Sequence, residues 1–314
     1  MSVKSKFLVI TEASKKSGLG NYKRSLIICK ELSKVSDVKL VVITDSSALD
    51  INEVQGSHHI EKIKSIQDFS DFSGDFSHAL MDVGTLDLSS FVWKLKEMNP
   101  SIKLIALDYF FESKLLDLRI SIFDQSTHAF ISNDPKHLVG LEYAVIDDLG
   151  EIVSEKNSQP VITIRFSGES KKILERTISV LESFYPKGTV QIQTIDNTGF
   201  NSKKYTPLSR PEFLRIIYNS ELVICSGVTT LLECSLLGVP TVFVGSNSLE
   251  SNFGEVLAKE NRIKFLNGFS DCYESKVRAF IDGIDLQSIN INLIPKLDLD
   301  FKGRHRILRA ILTL

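Results

Sequence analysis

Apolar residues fall in short unbroken runs along the first half of the chain, at 7–11, 38–44, 79–83, 103–108 and 128–132. Runs that do not alternate with polar residues predict strands covered on both faces, hence a parallel sheet flanked by helices. The stretches at 22–35 and 86–98 are long enough, and patterned at the right spacing, to be helices between those strands. The second half repeats the scheme, with strands predicted at 161–165, 190–194, 222–225 and 241–245 and helices at 170–184, 210–219 and 229–237. A later helix is expected at 250–260, and an amphipathic basic helix at 301–314 that would pack near a domain interface. The polar stretch 147–160, with its glycine and proline, reads as a linker. The expected fold is therefore α/β. Two doubly wound domains, 1–150 and 151–300, would take ligands in a cleft between their strand ends.

Composition narrows the function classes. The chain has 314 residues, 43% hydrophobic and 24% charged, with a net charge of -2. That is enough chain for two cores, and the charge offers no basic field for nucleic acid. No stretch reaches the length of a membrane span, and the apolar run near the N-terminus reads as a first strand rather than a leader. Cys29, Cys225, Cys234 and Cys272 stand singly, which suits reduced thiols in a cytoplasmic enzyme and gives no zinc spacing. His58-His59 with Glu61 reads as a solvated group rather than a metal site. His78 and His137 flank strands without a required role, and Trp93 reads as packing among Phe91, Val92 and Leu95.

The most informative segment is Ile224-Cys225-Ser226-Gly227-Val228-Thr229-Thr230-Leu231-Leu232-Glu233, followed by Gly238 and Pro240. It predicts a buried strand, a Ser-Gly turn and a short helix whose N-terminus holds two threonine hydroxyls and free backbone N–H groups. Glu233 follows Thr229 by four residues and Thr230 by three, on the same face and about 5 Å along the axis. Anion donors followed by a carboxylate suit a nucleotide, with phosphate on the donors and ribose on the acid. The competing reading is an ordinary crossover with a threonine cap and a surface glutamate.

In the first half, Gly18-Leu19-Gly20-Asn21 follows the first strand and allows a tight turn before a helix. It lacks the third glycine of a dinucleotide fingerprint, and Asn21 also suits a plain helix cap. Asp82 and Asp108 end parallel strands, the edge where α/β sites gather.

These motifs together resemble the UDP-sugar hydrolases of pseudaminic acid biosynthesis. Residues 18–32 are similar to that family's Gly-x-Gly-His-x-x-Arg loop and helix, and Gly140-Leu141-Glu142-Tyr143-Ala144 to its Gly-x-x-Tyr-Ala segment. Strands ending at Asp82 and Asp108, the Ser226 to Glu233 element, and Asn247 after Val244-Gly245-Ser246 follow in the family's order. The Ser226 element also resembles its counterpart in the N-acetylglucosaminyl transferase of peptidoglycan synthesis. The resemblance implies the GT-B fold, two Rossmann-like domains, and a UDP-sugar whose sugar–phosphate bond is broken without metal or cofactor. It places Asn21, Asp82 and Glu12 at the chemistry, where Asn21 stands for the family's histidine. Gly18, Gly20, Tyr22, Arg24, Asp108, Tyr143, Ser226, Gly227, Thr229, Thr230, Glu233 and Asn247 would hold the substrate. Two further departures are Asp147 for the family's arginine, and Phe166-Ser167-Gly168-Glu169-Ser170 for its glycine-rich loop. The implied acceptor is water. A glycan acceptor, making the enzyme a transferase, and a nucleotide-sugar-binding protein without catalysis are the alternatives.

Overall fold

The structure, a computed structural model, describes residues 5–14, 20–44, 59–70, 75–84, 86–108, 114–124, 129, 132, 134–147, 149–150, 159–166, 170–195, 209–284 and 297–314. The chain divides into two compact units, the first Met1–Asp147 with Asp300–Leu314, the second Asp148–Leu299.

In the first unit the strands are β1 (Lys6–Glu12), β2 (Asp37–Ile43), β3 (His59–Ile63), β4 (His78–Asp82), β5 (Lys103–Leu107), β6 (Leu118–Ser121) and β7 (His137–Val139). Helix α1 (Gly20–Leu32) links β1 to β2, and α2 (Ser89–Met98) links β4 to β5. All pairings are parallel, in the order β3-β2-β1-β4-β5-β6-β7. Alternate residues of β1 explain the unbroken apolar runs. Phe7 and Val9 enter the layer beneath α1, with Ile28, Cys29 and Leu32, whereas Leu8 and Ile10 enter the layer beneath α2, with Phe91, Val92 and Leu95. Both faces are dry, so both parities of each central strand must be apolar.

The second unit holds β8 (Val161–Arg165), β9 (Gln191–Thr194), β10 (Leu222–Cys225), β11 (Thr241–Gly245) and β12 (Lys264–Asn267), again all parallel, in the order β12-β11-β10-β8-β9. Its helices are α3 (Lys171–Phe184), α4 (Arg210–Tyr218), α5 (Val228–Leu237), α6 (Ser248–Lys259) and α7 (Tyr273–Asp282). Leu174 and Leu181 of α3 meet Tyr273 and Val277 of α7 in one apolar layer. Arg176 ties the same two helices by donating to Glu274.

Helix α8 (Gly303–Leu312) belongs to the first unit. Ile307, Leu308 and Ile311 fill the layer under α1. Gly303 lies so close to Ala144 that a Cβ there would collide with the Ala144 carbonyl. Arg306 grips Asp300 with two bonds of 2.7 Å and donates to the Glu142 carbonyl at 3.0 Å. Asp300 is thereby held at a pKa of about 2, chiefly by the Arg306 hydrogen bonds.

The central strands fall where the apolar runs predict them; several edges do not. Of the strand expected at 128–132, only Ala129 and Ser132 are described, and Ala129 pairs with Asp124 in an isolated bridge; residues 128, 130, 131 and 133 lie outside the described residues. The sheet is extended by β6 and β7, short and polar-flanked, which carry too little pattern to be read. β3, β12 and α7 are likewise unforeseen. His59 opens β3, whose Glu61 pairs with Lys39 at 2.9 Å. Trp93 is 58% exposed on α2 and is not packing.

Candidate functional site

Each sheet reverses its winding direction once, and each cluster of predicted site residues lies beside such a reversal. In the first unit, β2 and β3 run to one side of β1 and β4 to β7 to the other. The connections leaving the carboxyl ends of β1 and β4 therefore run to opposite faces of the sheet, α1 on one and α2 on the other, and leave room for a ligand between them. Glu12 closes β1, and Asp82 closes β4 directly beside Thr11.

Arg24 organises this edge. It lies one turn into α1, and its guanidinium donates from Nε to Asp82 Oδ2 at 3.0 Å. Nη2 bonds Asp82 Oδ1, and Nη1 bonds Asp108 Oδ2. Nη2 also donates to Asn21 Oδ1 at 3.3 Å. Ser25 Oγ adds a bond of 2.9 Å to Asp82 Oδ2. Asp82 is fully buried, while the Arg24 and Asp108 side chains are 18% and 21% exposed. Burial pushes the Asp82 carboxyl above the ordinary aspartate range, with the charge and hydrogen bonds of Arg24 opposing it. Burial also works against the Arg24 cation, yet Asp82 and Asp108 together raise its pKa. Asp108 has a φ of 43°, in the left-handed region that aspartate tolerates at some cost. Its Oδ1 accepts from the Ile122 amide at 3.2 Å, which fixes the turn that aims Oδ2 at Arg24.

Glu12 is 3% exposed and accepts from Ser14 Oγ at 3.0 Å. Gly20 begins α1; Gly18 lies outside the described residues. Tyr22 is buried in the apolar layer under α1, and Tyr143 sits in the short turn that packs against that same layer. His137 is buried with Ser121 Oγ 2.8 Å from its Nε2, stitching β6 to β7, and burial lowers its pKa.

In the second unit β9 lies on one side of β8 and β10 on the other, so the reversal falls between β8 and β10. At the end of β10, Ser226 is buried and its amide donates to the Arg165 carbonyl at 2.9 Å. Gly227 has a φ of 87°, a conformation that glycine adopts freely, and opens α5. Thr229 is exposed on the first turn, and Thr230 is 8% exposed. Gly238, with a φ of 72°, ends the helix. Glu233 is 3% exposed, and its Oε1 accepts from Arg210 Nη1 of α4 at 2.6 Å. Asn247 caps α6 by accepting from the Glu250 amide at 2.9 Å. Glu250 in turn accepts from Ser246 Oγ at 2.6 Å. Residues 167–169, the departure from the family's glycine-rich loop, lie outside the described residues.

Sequence reasoning missed Arg210 and Ser25. Neither belongs to a local pattern, since each partner lies more than 20 residues away, at Glu233 and Asp82. Among the described residues there is no group of three or more His, Cys, Asp or Glu side chains placed to hold a metal ion, and no helix is long and apolar enough to cross a membrane.

No family model and no curated protein matches the sequence. Solved structures do match in shape. MurG of Acinetobacter baumannii is 13% identical, with a TM-score of 0.63 over 98% of this chain and 100% of that one. S. aureus MnaA, solved with UDP, is 11% identical, with a TM-score of 0.62 over 98% of this chain and 96% of that one. The UDP-GlcNAc 2-epimerase of Methanocaldococcus jannaschii is 10% identical, with a TM-score of 0.56 over 98% and 100%. At these identities the likeness is one of fold: the chain is a GT-B protein, two Rossmann-like units of all-parallel sheet.

Proposed function

We propose that this chain binds a UDP-sugar and breaks its sugar–phosphate bond, as the resemblance to the UDP-sugar hydrolases of pseudaminic acid biosynthesis implies. The observation that carries the proposal is the element from Ser226 to Glu233. A positive-φ glycine at the reversal point of a parallel sheet opens a ten-residue helix whose first turn presents backbone N–H groups and the exposed Thr229. As the glycosyl C–O bond breaks, the electron pair passes to the diphosphate, and the donors around Gly227, Thr229 and Thr230 stabilise that charge. Glu233 takes the ribose hydroxyls. That the neighbour MnaA was solved with UDP supports the nucleotide assignment.

In hydrolysis a water oxygen bonds to the anomeric carbon and its proton passes to a base. Asp82 and Asp108 are both bound by Arg24, and we assign the proton to Glu12, the carboxylate that closes β1. A second reading, transfer to a glycan acceptor, is supported by Asn21 standing in place of the hydrolase family's histidine; the acceptor hydroxyl must likewise give its proton to a base other than that amide.

Calorimetric titration with UDP tests the nucleotide site. Glu233→Ala should weaken binding by about 1.5–3 kcal/mol, the range for a hydrogen bond to a charged group. Unchanged affinity in the folded variant would reduce the element to an ordinary crossover. Incubation with a panel of UDP-sugars then separates the reactions. Release of UDP in water marks a hydrolase, and release only with a glycan acceptor marks a transferase.

A further inference from the structure

The amide of Asn21 is held from behind by the same guanidinium that binds Asp82 and Asp108. An asparagine side chain has an acceptor oxygen and a donor nitrogen, and rotation of the amide ordinarily lets it show either. Here Oδ1 lies 3.3 Å from Arg24 Nη2, a group that can only donate. The flipped amide would set Nδ2 against a cation. Oδ1 is therefore committed inward, and Nδ2 carries the two donors that remain.

Arg24 is itself fixed. Its fork is bidentate on the fully buried Asp82, and its other arm is on Asp108, whose left-handed backbone is pinned by the Ile122 amide. Four residues from four separate stretches of chain thus set the polarity of one amide. An apolar residue, a helix former or a simple cap at position 21 would need none of this. Two carboxylates and one guanidinium also explain why the residue here must be neutral: an aspartate would add a third negative charge around a single cation.

From this we infer that Arg24 is a positioning residue that turns Asn21 into a donor-only contact, reserved for an acceptor oxygen of the ligand. Resting on the function proposed above, that oxygen belongs to the sugar half of the nucleotide sugar: the glycosidic oxygen, a phosphate oxygen beside it or an acyl carbonyl. Asn21 then stabilises an acceptor atom on the substrate and takes no proton.

The test has a ligand-free arm and a ligand arm. In the first, ¹⁵N NMR follows the side chains of Arg24 and Asn21 in the full chain. The clamp predicts resolved, slowly rotating Arg24 Nη signals, of which the Nη2 pair shifts in Asn21→Ala while the set stays resolved. It also predicts an Asn21 Nδ2 pair that shifts in Arg24→Lys, where one ammonium cannot reach all three partners. Asn21→Ala leaves the Arg24 bonds to Asp82 and Asp108 in place and so keeps the test open if Arg24→Lys fails to fold. An averaged Arg24 signal in wild type, or Nη2 signals unaltered by Asn21→Ala, overturns the inference. In the second arm, UDP and UDP-N-acetylglucosamine are titrated into wild type, Asn21→Ala and Asn21→Asp. Asn21→Asp keeps an oxygen for Arg24 but replaces the donors with an acceptor. It should lose about tenfold or more in affinity for the UDP-sugar, and more than Asn21→Ala loses, with UDP itself within about twofold. Equal binding of the UDP-sugar by the Asn and Asp forms overturns donor presentation. If wild type binds neither probe while the NMR signature is intact, the clamp stands and the nucleotide-sugar reading is what fails.

Discussion

Asn21 and Glu233 show how a single residue's role depends on the arginine bonded to it, three residues away for Asn21 and 23 for Glu233. Asn21 stands where the resembling family has a histidine, and it is oriented by Arg24. A histidine introduced there would sit beside a cation, which favours its neutral form, the form that accepts a proton. Asn21→His should therefore raise UDP release in water by at least about tenfold, within the range of general-base catalysis. Asn21→Ala should lower whatever activity the wild type has. Rates measured side by side decide the matter, and identical rates would leave Asn21 as a helix cap remote from the chemistry. His137 is a different case. Burial holds its folded pKa below the ordinary value of 6.5, so the unfolded chain binds the proton more readily. Its contribution to stability is then complete above that value and falls as pH drops below it. Thermal unfolding at pH 7.5 and pH 5.5 should show a lower Tm at the acid end, and His137→Gln should narrow the gap.

At the scale of elements, what could be read in sequence follows from how each element is covered. β1, β4, β8 and β10 are buried on both faces, and their runs of apolar residues announce them. β3, at an edge, mixes His59, Glu61 and Lys62 with isoleucines, and β7 is only three residues long. Periodicity cannot find such strands; pairing with a neighbour creates them. The same division holds for the site. Strand ends carrying Asp82 and Asp108 were legible because the sheet edge is a property of the pattern. The Arg210–Glu233 pair was not, because α4 and α5 meet only in the folded unit. Helix α8 offers a direct check on packing. A methyl group on Gly303 would overlap the Ala144 carbonyl, backbone against side chain, with no flexible group to yield. Gly303→Ala should cost about 1–3 kcal/mol, the range for overpacking, read as a lower denaturation midpoint with an unchanged slope.

Across the whole molecule, three carboxylates near the sheet reversals are matched by arginines: Asp82 and Asp108 by Arg24, Glu233 by Arg210. A diphosphate would then be neutralised by the α5 N-terminus and its hydroxyls rather than by a divalent cation. UDP affinity should accordingly be the same, within about twofold, with and without EDTA; a requirement for magnesium or manganese would point to a differently built site. The return of α8 to the first unit has a further consequence, for synthesis. Residues 6–147 leave the ribosome first, yet the layer beneath α1 stays open until Ile307, Leu308 and Ile311 have been made. The second unit, whose residues are contiguous, needs no later segment to complete its core. The unit translated earlier is thus the one finished later, and a released chain ending at residue 299 would hold a second unit with all its segments and a first unit with an exposed apolar face, the species a chaperone would be expected to find.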